Sequence, residues 1–417
     1  MRILLTTDSF PPDCGGSGWS TYEVAQGLRS RGHAVSVLRP TPATTERRTR
    51  EYHGFAVDEI PVAAPNVPFV RNYFKNEHLY GPLAGVTRSV IEADRVDIVH
   101  AQHVMSGPAS IAAAHAAGRP VVCTVRDYWP VCYWSDLIYD YSASDLCPAC
   151  TPAMMSRCVR PRAGSLWPLA LPMIPYMRAN LARKRLALSE ADAIVAVSST
   201  LASDLRARAP EVARTRLEII PNPIDFTAID AEEPALRRSP PPLTRRYVLY
   251  AGKLAPNKGG TKLLVAIRRA DLRMPVVFVG DGPDRASLEA EATSAGLDAL
   301  FTGWLPREEV WRWMVHAGLL AFPSHGPESL SRVLLEASAL GVPIAAMDTG
   351  GTRDIIVPDR TGLLSRDIDG LARDLSRLAN DPALAATLGE SARRHAHEMF
   401  DARIVVDRLE RLYRDLL

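Results

Sequence analysis

Two doubly wound α/β domains are the fold class that this sequence predicts, and three observations carry the prediction. Short apolar runs of strand length alternate with helix-period stretches from Ile3 onward. The alternation breaks once, at the proline- and charge-rich residues 226–246, and then resumes. A chain of 417 residues is also too long for one comfortable core.

Composition narrows the function classes. With 49 basic and 47 acidic residues the formal charge is +2, so no overall field selects nucleic acid or a membrane. Met1 is followed at once by a short strand ending in Asp8, where a secretory signal would need a longer apolar region. No apolar run approaches the ~18 residues that a spanning helix requires. A cytoplasmic protein is expected.

Ile3–Asp8 reads as a buried parallel strand. Cys14-Gly15-Gly16-Ser17-Gly18 follows, before a helix near Trp19–Arg31. Strand, glycine loop and helix make a phosphate cradle, with Gly15 and Gly16 at its turn. The spacing is not G-x-G-x-x-G, so the loop reads equally as a tight turn. Gly32–Leu38 is the next strand, with His33 in a structural position. Asp97–Ala101, Pro120–Val125 and Asp192–Ser198 continue the pattern. His100 and His103 flank the loop after one of these strands, at the end where open α/β sheets place ligands. Two histidines without a third ligand do not imply a metal.

Thr124-Val125-Arg126-Asp127 follows the next strand. Arg126 stays protonated and cannot act as a general base. It suits a phosphate, an acidic acceptor or a structural pairing with Asp127. Four cysteines then crowd one irregular region: Cys132, Cys147, Cys150 and Cys158. Clustered cysteines in a cytosolic chain favour a metal over disulfides, and four thiolates satisfy tetrahedral zinc. Their spacing matches no named zinc fold, so structural zinc and free thiols both stand as readings. Cys14 and Cys123 read as buried or incidental.

Leu166–Met177 is apolar but broken by three prolines, and Arg178–Arg185 beside it is basic. Such a pair docks on anionic bilayers, or else serves as an interior loop and a solvated helix face. Ile219–Asp225 leads into the linker, and Tyr247–Ala251 opens the second half. Gly252-Lys253 and Lys258-Gly259-Gly260 give that half its own glycine loop, now with two lysines. Pro275–Pro283 places Asp281 and Gly282 at the ligand edge, and Phe301–Val310 carries Leu305. From Asp401 a last amphipathic helix buries Val405, Leu409 and Leu412 on one face.

The stretch Phe322–Gly351 carries the chemistry. A strand, Leu319–Phe322, feeds a polar loop with Glu328 and then a helix with apolar Leu330, Val333, Leu334 and Ala337, stopped by Gly341. Glu336 is expected about two turns along it. The amides of Ser329, Leu330 and Ser331 are expected near the helix start, where N–H groups and the dipole favour an anion. This suits a diphosphate over the helix start with hydroxyl-rich groups on either side.

The run E328-S-L-S-R-V-L-L-E336, with Gly350-Gly351 behind it, resembles the paired-glutamate motif of the retaining family 4 glycosyltransferases. Ser329 and Ser331 stand where many members have glycine, and Arg126 where many have histidine. The resemblance spans nearly the whole chain and is strongest over residues 247–364. It implies a GT-B fold: two Rossmann-like domains facing a cleft, with a C-terminal crossover helix. The expected boundaries are an acceptor-side domain at 1–225, a linker at 226–246, a donor domain at 247–395 and a returning helix at 396–417.

By the same resemblance, Lys253 and Lys258 neutralise the donor diphosphate, Glu328 holds sugar hydroxyls and Glu336 holds the ribose. Gly16 would join the diphosphate, Leu305 would meet the base, His103 and Ser106 would face the acceptor, and Arg126 would lie close to the reacting sugar, with Glu328, Lys258, Arg126 and His103 as the catalytic candidates. The implied reaction moves a sugar from a nucleoside diphosphate sugar to a hydroxyl, with retention and without a required metal. The acceptor class is a glycan, a lipid-linked molecule or a small molecule, with no nucleic acid as partner. A sugar-nucleotide epimerase and a non-catalytic nucleotide-sugar-binding subunit are the alternative readings.

Overall fold

The computed structural model describes residues 1–12, 14–65, 67, 70–140 and 146–417. Two compact units emerge. The first joins Met1–Asp140, Cys147–Pro223 and Ala402–Leu417; the second is Ile224–Asp401, with which Leu146 also groups.

The first unit is built on eight strands: β1 (Arg2–Thr6), β2 (Ala34–Thr41), β3 (Arg48–Tyr52), β4 (Phe55–Pro61), β5 (Ile98–Ala101), β6 (Val121–Val125), β7 (Ala193–Ala196) and β8 (Arg216–Ile219). Their order is β3-β4-β2-β1-β5-β6-β7-β8, parallel except where β3 turns back on β4. The hairpin was not anticipated. Its turn is His53-Gly54, with φ of 45° and 77°, the left-handed pair that a two-residue hairpin loop requires. β5, β6 and β7 are buried at every position, as strands covered on both faces must be.

The C-terminal helix Ala402–Leu416 completes this unit. Its Val405, Val406, Leu409, Leu412 and Tyr413 share a core with Ile3, Leu5, Val37, Ile98 and Val122. Gly27 of the helix Gly16–Ser30 lets it approach closely, since a Cβ there would stand 2.6 Å from Val406 Cγ2. Arg31 and His33 both reach Glu410, at 2.8 and 3.1 Å. His33 is thus structural, a tie between the first turns of the chain and its last helix.

The second unit holds β9 (Val248–Ala251), β10 (Val276–Val279), β11 (Ala299–Gly303), β12 (Leu319–Phe322), β13 (Ile344–Met347) and β14 (Leu363–Ser365). The order β11-β10-β9-β12-β13-β14 is wholly parallel, so every strand delivers its following loop to one edge. Leu263, Leu264 and Ile267 from one helix and Leu371, Leu375 and Leu378 from another close over one core with the strands.

Two expected boundaries are corrected. Residues 226–246 are not an unstructured linker, because Phe226–Arg238 is a helix of the second unit. Asp225 caps it by accepting from Ala228 N at 3.1 Å, and Phe226 and Ile229 bury one face despite Pro234 within it. The return to the first unit starts at Ala402 rather than at residue 396. Pro382–Phe400 is one continuous helix, and Phe400, 2% exposed, accepts from Ile224 N at 2.7 Å before the chain breaks at Asp401.

Candidate functional site

The loops after β9 and β12 meet at the shared edge of the second unit. Lys258 Nζ lies 2.6 Å from Glu328 Oε1, and Ser324 Oγ donates to the same oxygen at 2.6 Å. The backbones are joined as well: His325 N and Gly326 N both donate to Asn257 O, at 3.2 and 3.0 Å. Such close approach needs glycine. Gly259 has φ 76°, and a Cβ on it would stand 2.1 Å from Pro323 O. Gly350 brings the loop after β13 equally close, with φ 51° and a Cβ that would stand 2.0 Å from Glu328 O. Gly351 N then donates to Glu328 O at 2.7 Å. The Gly350-Gly351 pair therefore braces the backbone that presents Glu328.

The helix after this loop is Arg332–Ala339, with Ser331 as its N-cap. Leu335 N to Ser331 O, at 3.1 Å, is its first bond. The first-turn N–H groups left by helix geometry are those of Arg332, Val333 and Leu334. Ser329 and Leu330 lie just before the helix start, and Ser331 is its N-cap. Glu336 is accordingly one turn into it rather than two.

Glu336 is buried, and its Oε1 accepts from Arg307 Nε and Arg332 Nε, both at 3.0 Å. Burial works to raise its carboxyl, but the two arginines together outweigh that and hold it below the usual carboxylate range. Neither arginine was assigned a role from sequence. Arg332 had a legible signal in its i,i+4 spacing to Glu336. Arg307, 29 residues earlier, had none.

Lys253, Gly282 and Leu305 lie on the loops after β9, β10 and β11, hence on the same edge. Lys253 is exposed and Leu305 half-buried, while Gly282 N donates to the Asp281 side chain at 2.7 Å. The structure thus groups nine of the expected donor-side residues on one edge: Lys253, Lys258, Gly282, Leu305, Glu328, Ser329, Leu330, Ser331 and Glu336.

The remaining expected residues belong to the first unit. Gly15 is the N-cap and Gly16 the first residue of the helix Gly16–Ser30, which starts three residues before the expected Trp19. His103 Nδ1 is 3.1 Å from Thr7 Oγ1 and 3.4 Å from Asp8 N. Burial, then the Arg126 charge, drive its pKa down to about 3, so the ring is neutral. Its Nε2 is buried without a hydrogen-bond partner. Ser106 Oγ is spent on Thr6 O and His103 O, both at 3.3 Å, and is not available to an acceptor as expected.

Arg126 is 9% exposed and donates to Gln102 Oε1 and Asn222 Oδ1. It joins the loops after β5, β6 and β8. Asp8, which the sequence showed only as the end of a strand, accepts from Met105 N and Ser106 N at 3.0 and 3.1 Å. Burial still pushes its carboxyl up to about 6. His100 bonds Tyr413 Oη and Thr124 Oγ1 and serves packing.

Among the described residues no three His, Cys, Asp or Glu side chains stand as a ligand set. Cys132, Cys147, Cys150 and Cys158 are free, and three of them are buried. Cys147 Sγ donates to Ala149 O and Cys158 Sγ to Met155 O. Burial pushes the Cys132 thiol up to about 12 and that of Cys158 up to about 11. Cys158 packs with Tyr133, Met155, Val159 and Met177 in a small core of its own.

Comparison with known proteins agrees with this geometry. Residues 14–228 match the domain described as Glycosyltransferase Family 4, and residues 232–395 match Glycosyl transferases group 1. A GDP-mannose-dependent alpha-mannosyltransferase of Mycolicibacterium smegmatis is 29% identical over 376 residues, 89% of this chain and 85% of that protein. Its namesake in Mycobacterium tuberculosis is 30% identical over 370 residues, 87% of this chain and 83% of that protein. Among solved structures, sucrose-phosphate synthase from Thermosynechococcus elongatus superposes with a TM-score of 0.74 at 19% identity. It covers 100% of this chain and 99% of that one. This likeness establishes the shared fold.

Proposed function

The chain belongs to glycosyltransferase family 4, with the GT-B fold, and is a nucleotide-sugar-dependent glycosyltransferase; on that premise we propose that it transfers mannose from GDP-mannose to an acceptor hydroxyl, with retention at the anomeric carbon. The observation that carries the reading is the convergence of Lys258 and Ser324 on one oxygen of Glu328. A leaving diphosphate gains negative charge as the glycosidic bond breaks, and fixed positive partners stabilise it. Lys258 Nζ turns from Glu328 to the diphosphate, and Lys253 adds a second cation. The N–H groups of Arg332, Val333 and Leu334 supply a helix N-terminus. Glu328, released, accepts from sugar hydroxyls.

Glu336, held ionised by two arginines, is an acceptor for the ribose hydroxyls. The lysines do the work that a divalent metal would do, so none is required. In the first unit the unpartnered Nε2 of neutral His103 offers a hydrogen-bonding position to an acceptor hydroxyl. Retention follows a front-face route, in which the departing phosphate oxygen takes the acceptor proton. GDP-mannose is chosen because two relatives, spanning 89% and 87% of this chain, are named for it.

A thermal-shift panel tests the donor. Guanosine diphosphate at ~100 times its dissociation constant should stabilise the native state by about 2.7 kcal/mol. Uridine, adenosine and thymidine diphosphates should leave the midpoint in place. A shift with uridine diphosphate alone would replace the donor assignment. An α-linked product in the proton spectrum of a GDP-mannose reaction confirms retention, and a β-linked one excludes it.

The acceptor side is proposed to work at the inner face of a membrane. Among the described residues no helix is long and apolar enough to cross one. Leu166 and Leu169 are nevertheless 64% and 77% exposed, beside exposed Arg160 and Arg178. Apolar side chains edged by cations suit an anionic bilayer surface. The protein should float with liposomes containing anionic lipid and sink when Leu166→Asp and Leu169→Asp are combined. Wild-type protein left at the bottom of the gradient would remove this part.

A further inference from the structure

A second cavity of the same unit, of about 500 Å³, opens beside the Glu328 loop without using Lys253, Lys258, Glu328 or Glu336. Lys262, Ser324, His325, Thr349, Arg366 and Asp369 are among its walls. Two helices begin at it. Lys262 sits in the first turn of Gly260–Arg269, and Arg366 precedes Asp367, the N-cap of Ile368–Asn380. A helix start already carries partial positive charge, so a lysine there is unfavourable unless an anion joins it.

The aspartates of the cavity do not supply that anion. Asp369 is held by Arg269 at 2.6 Å, and Asp348 by Arg353. Asp367 Oδ1 is turned to its own helix, accepting from Gly370 N at 2.7 Å. Lys262 and Arg366 form no ion pair with any described residue. His325 adds a third unmet group, for its Nδ1 is buried without a hydrogen-bond partner. Burial, then the nearby Lys262 charge, drive the His325 pKa down to about 4, and burial lowers that of Lys262.

From two cations and an imidazole without partners among the described residues, and two helix starts, around one cavity, we infer that this pocket binds a phosphate monoester, with Lys262, His325 and Arg366 on the phosphate. The volume lies within the range of small-molecule sites and exceeds what a bare phosphate fills, which calls for a body of sugar size. The pocket shares its wall with the donor site. Ser324 bonds Glu328, and Thr349 Oγ1 donates to Gly326 O at 2.7 Å in the Glu328 loop. The phosphate site itself does not depend on the transferase reading.

Titration calorimetry on the full chain tests this, with inorganic phosphate and glucose 6-phosphate as probes. Both should bind saturably, the sugar phosphate more tightly. Lys262→Gln and Arg366→Gln should each weaken binding by about tenfold or more, since each removes a charge-assisted contact. Lys258→Ala should leave it unchanged, as should saturating guanosine diphosphate. Unaltered melting midpoints without ligand would show that the two glutamine variants are folded.

Three outcomes overturn the inference. Absence of saturable binding to wild type removes the site. Binding lost with Lys258→Ala but kept in Lys262→Gln and Arg366→Gln assigns the anion to the donor diphosphate position. Inorganic phosphate binding as tightly as glucose 6-phosphate removes the monoester class. A failure of GDP-mannose transfer, by contrast, would leave all of these readouts untouched.

Discussion

Replacing Lys258 with alanine is expected to lower kcat by about 10²–10³-fold while leaving the protein folded. The magnitude is that of removing one preorganised electrostatic partner from a developing negative charge. The fold should tolerate the change because the Lys258 side chain is 32% exposed in its pair with Glu328. An ion pair of that exposure contributes about 1 kcal/mol or less. Ser324 also remains on the Glu328 oxygen at 2.6 Å. Initial rates with GDP-mannose, read beside a melting curve, decide the matter. An unchanged kcat in a folded variant would place the diphosphate elsewhere.

Glu336→Ala should have the larger effect on stability. Its carboxylate lies between Arg307 and Arg332 with 8% of its side chain exposed, and truncation leaves two buried cations facing each other. Breaking such a buried pair costs about 3–5 kcal/mol. Glu336→Gln keeps the shape and loses the charge, so it should fall between alanine and wild type. Nucleoside diphosphate affinity should also drop by about tenfold to a hundredfold with Gln, the value of a hydrogen bond to a charged group. A variant as stable as wild type would show that the two arginines are satisfied without Glu336.

The same residue carries a pH signature. The folded-state pKa of Glu336 is depressed below its ordinary 4.5. Its contribution is therefore fully present above pH 4.5 and is lost as the pH falls through the lower, folded value. Glu336→Gln should flatten that acid limb in urea titrations from pH 3 to pH 7, and an equally steep limb in the variant would assign it to other carboxylates.

Much of the architecture was legible because it rests on local pattern. Buried parallel strands such as Val121–Val125 and Leu319–Phe322 are continuous apolar runs, and glycine loops follow several of them. The hairpin Arg48–Pro61 escaped notice because its strands carry charge along an edge, with Arg48, Arg50 and Glu51 among them. Its turn is a His-Gly pair whose left-handed backbone is seldom signalled by histidine. The helix Phe226–Arg238 escaped for another reason: the prolines around it read as a linker, and its buried face became meaningful only against the second unit.

For the site, the sequence by itself named the groups expected to carry the chemistry: Lys253, Lys258, Glu328 and Glu336, picked out by motif and by family resemblance. Tertiary structure alone decided what each of them touches. Lys258 and Glu328, 70 residues apart, share an ion pair because parallel strands bring their loops to one edge. Arg126 became a tie between three loops, and burial pushes the Cys132 and Cys158 thiols up, because burial and neighbours set the state of an ionisable group. Spacing along a chain reports which residue types are present. Charge state, pairing and unmet hydrogen bonds depend on distances that only folding creates.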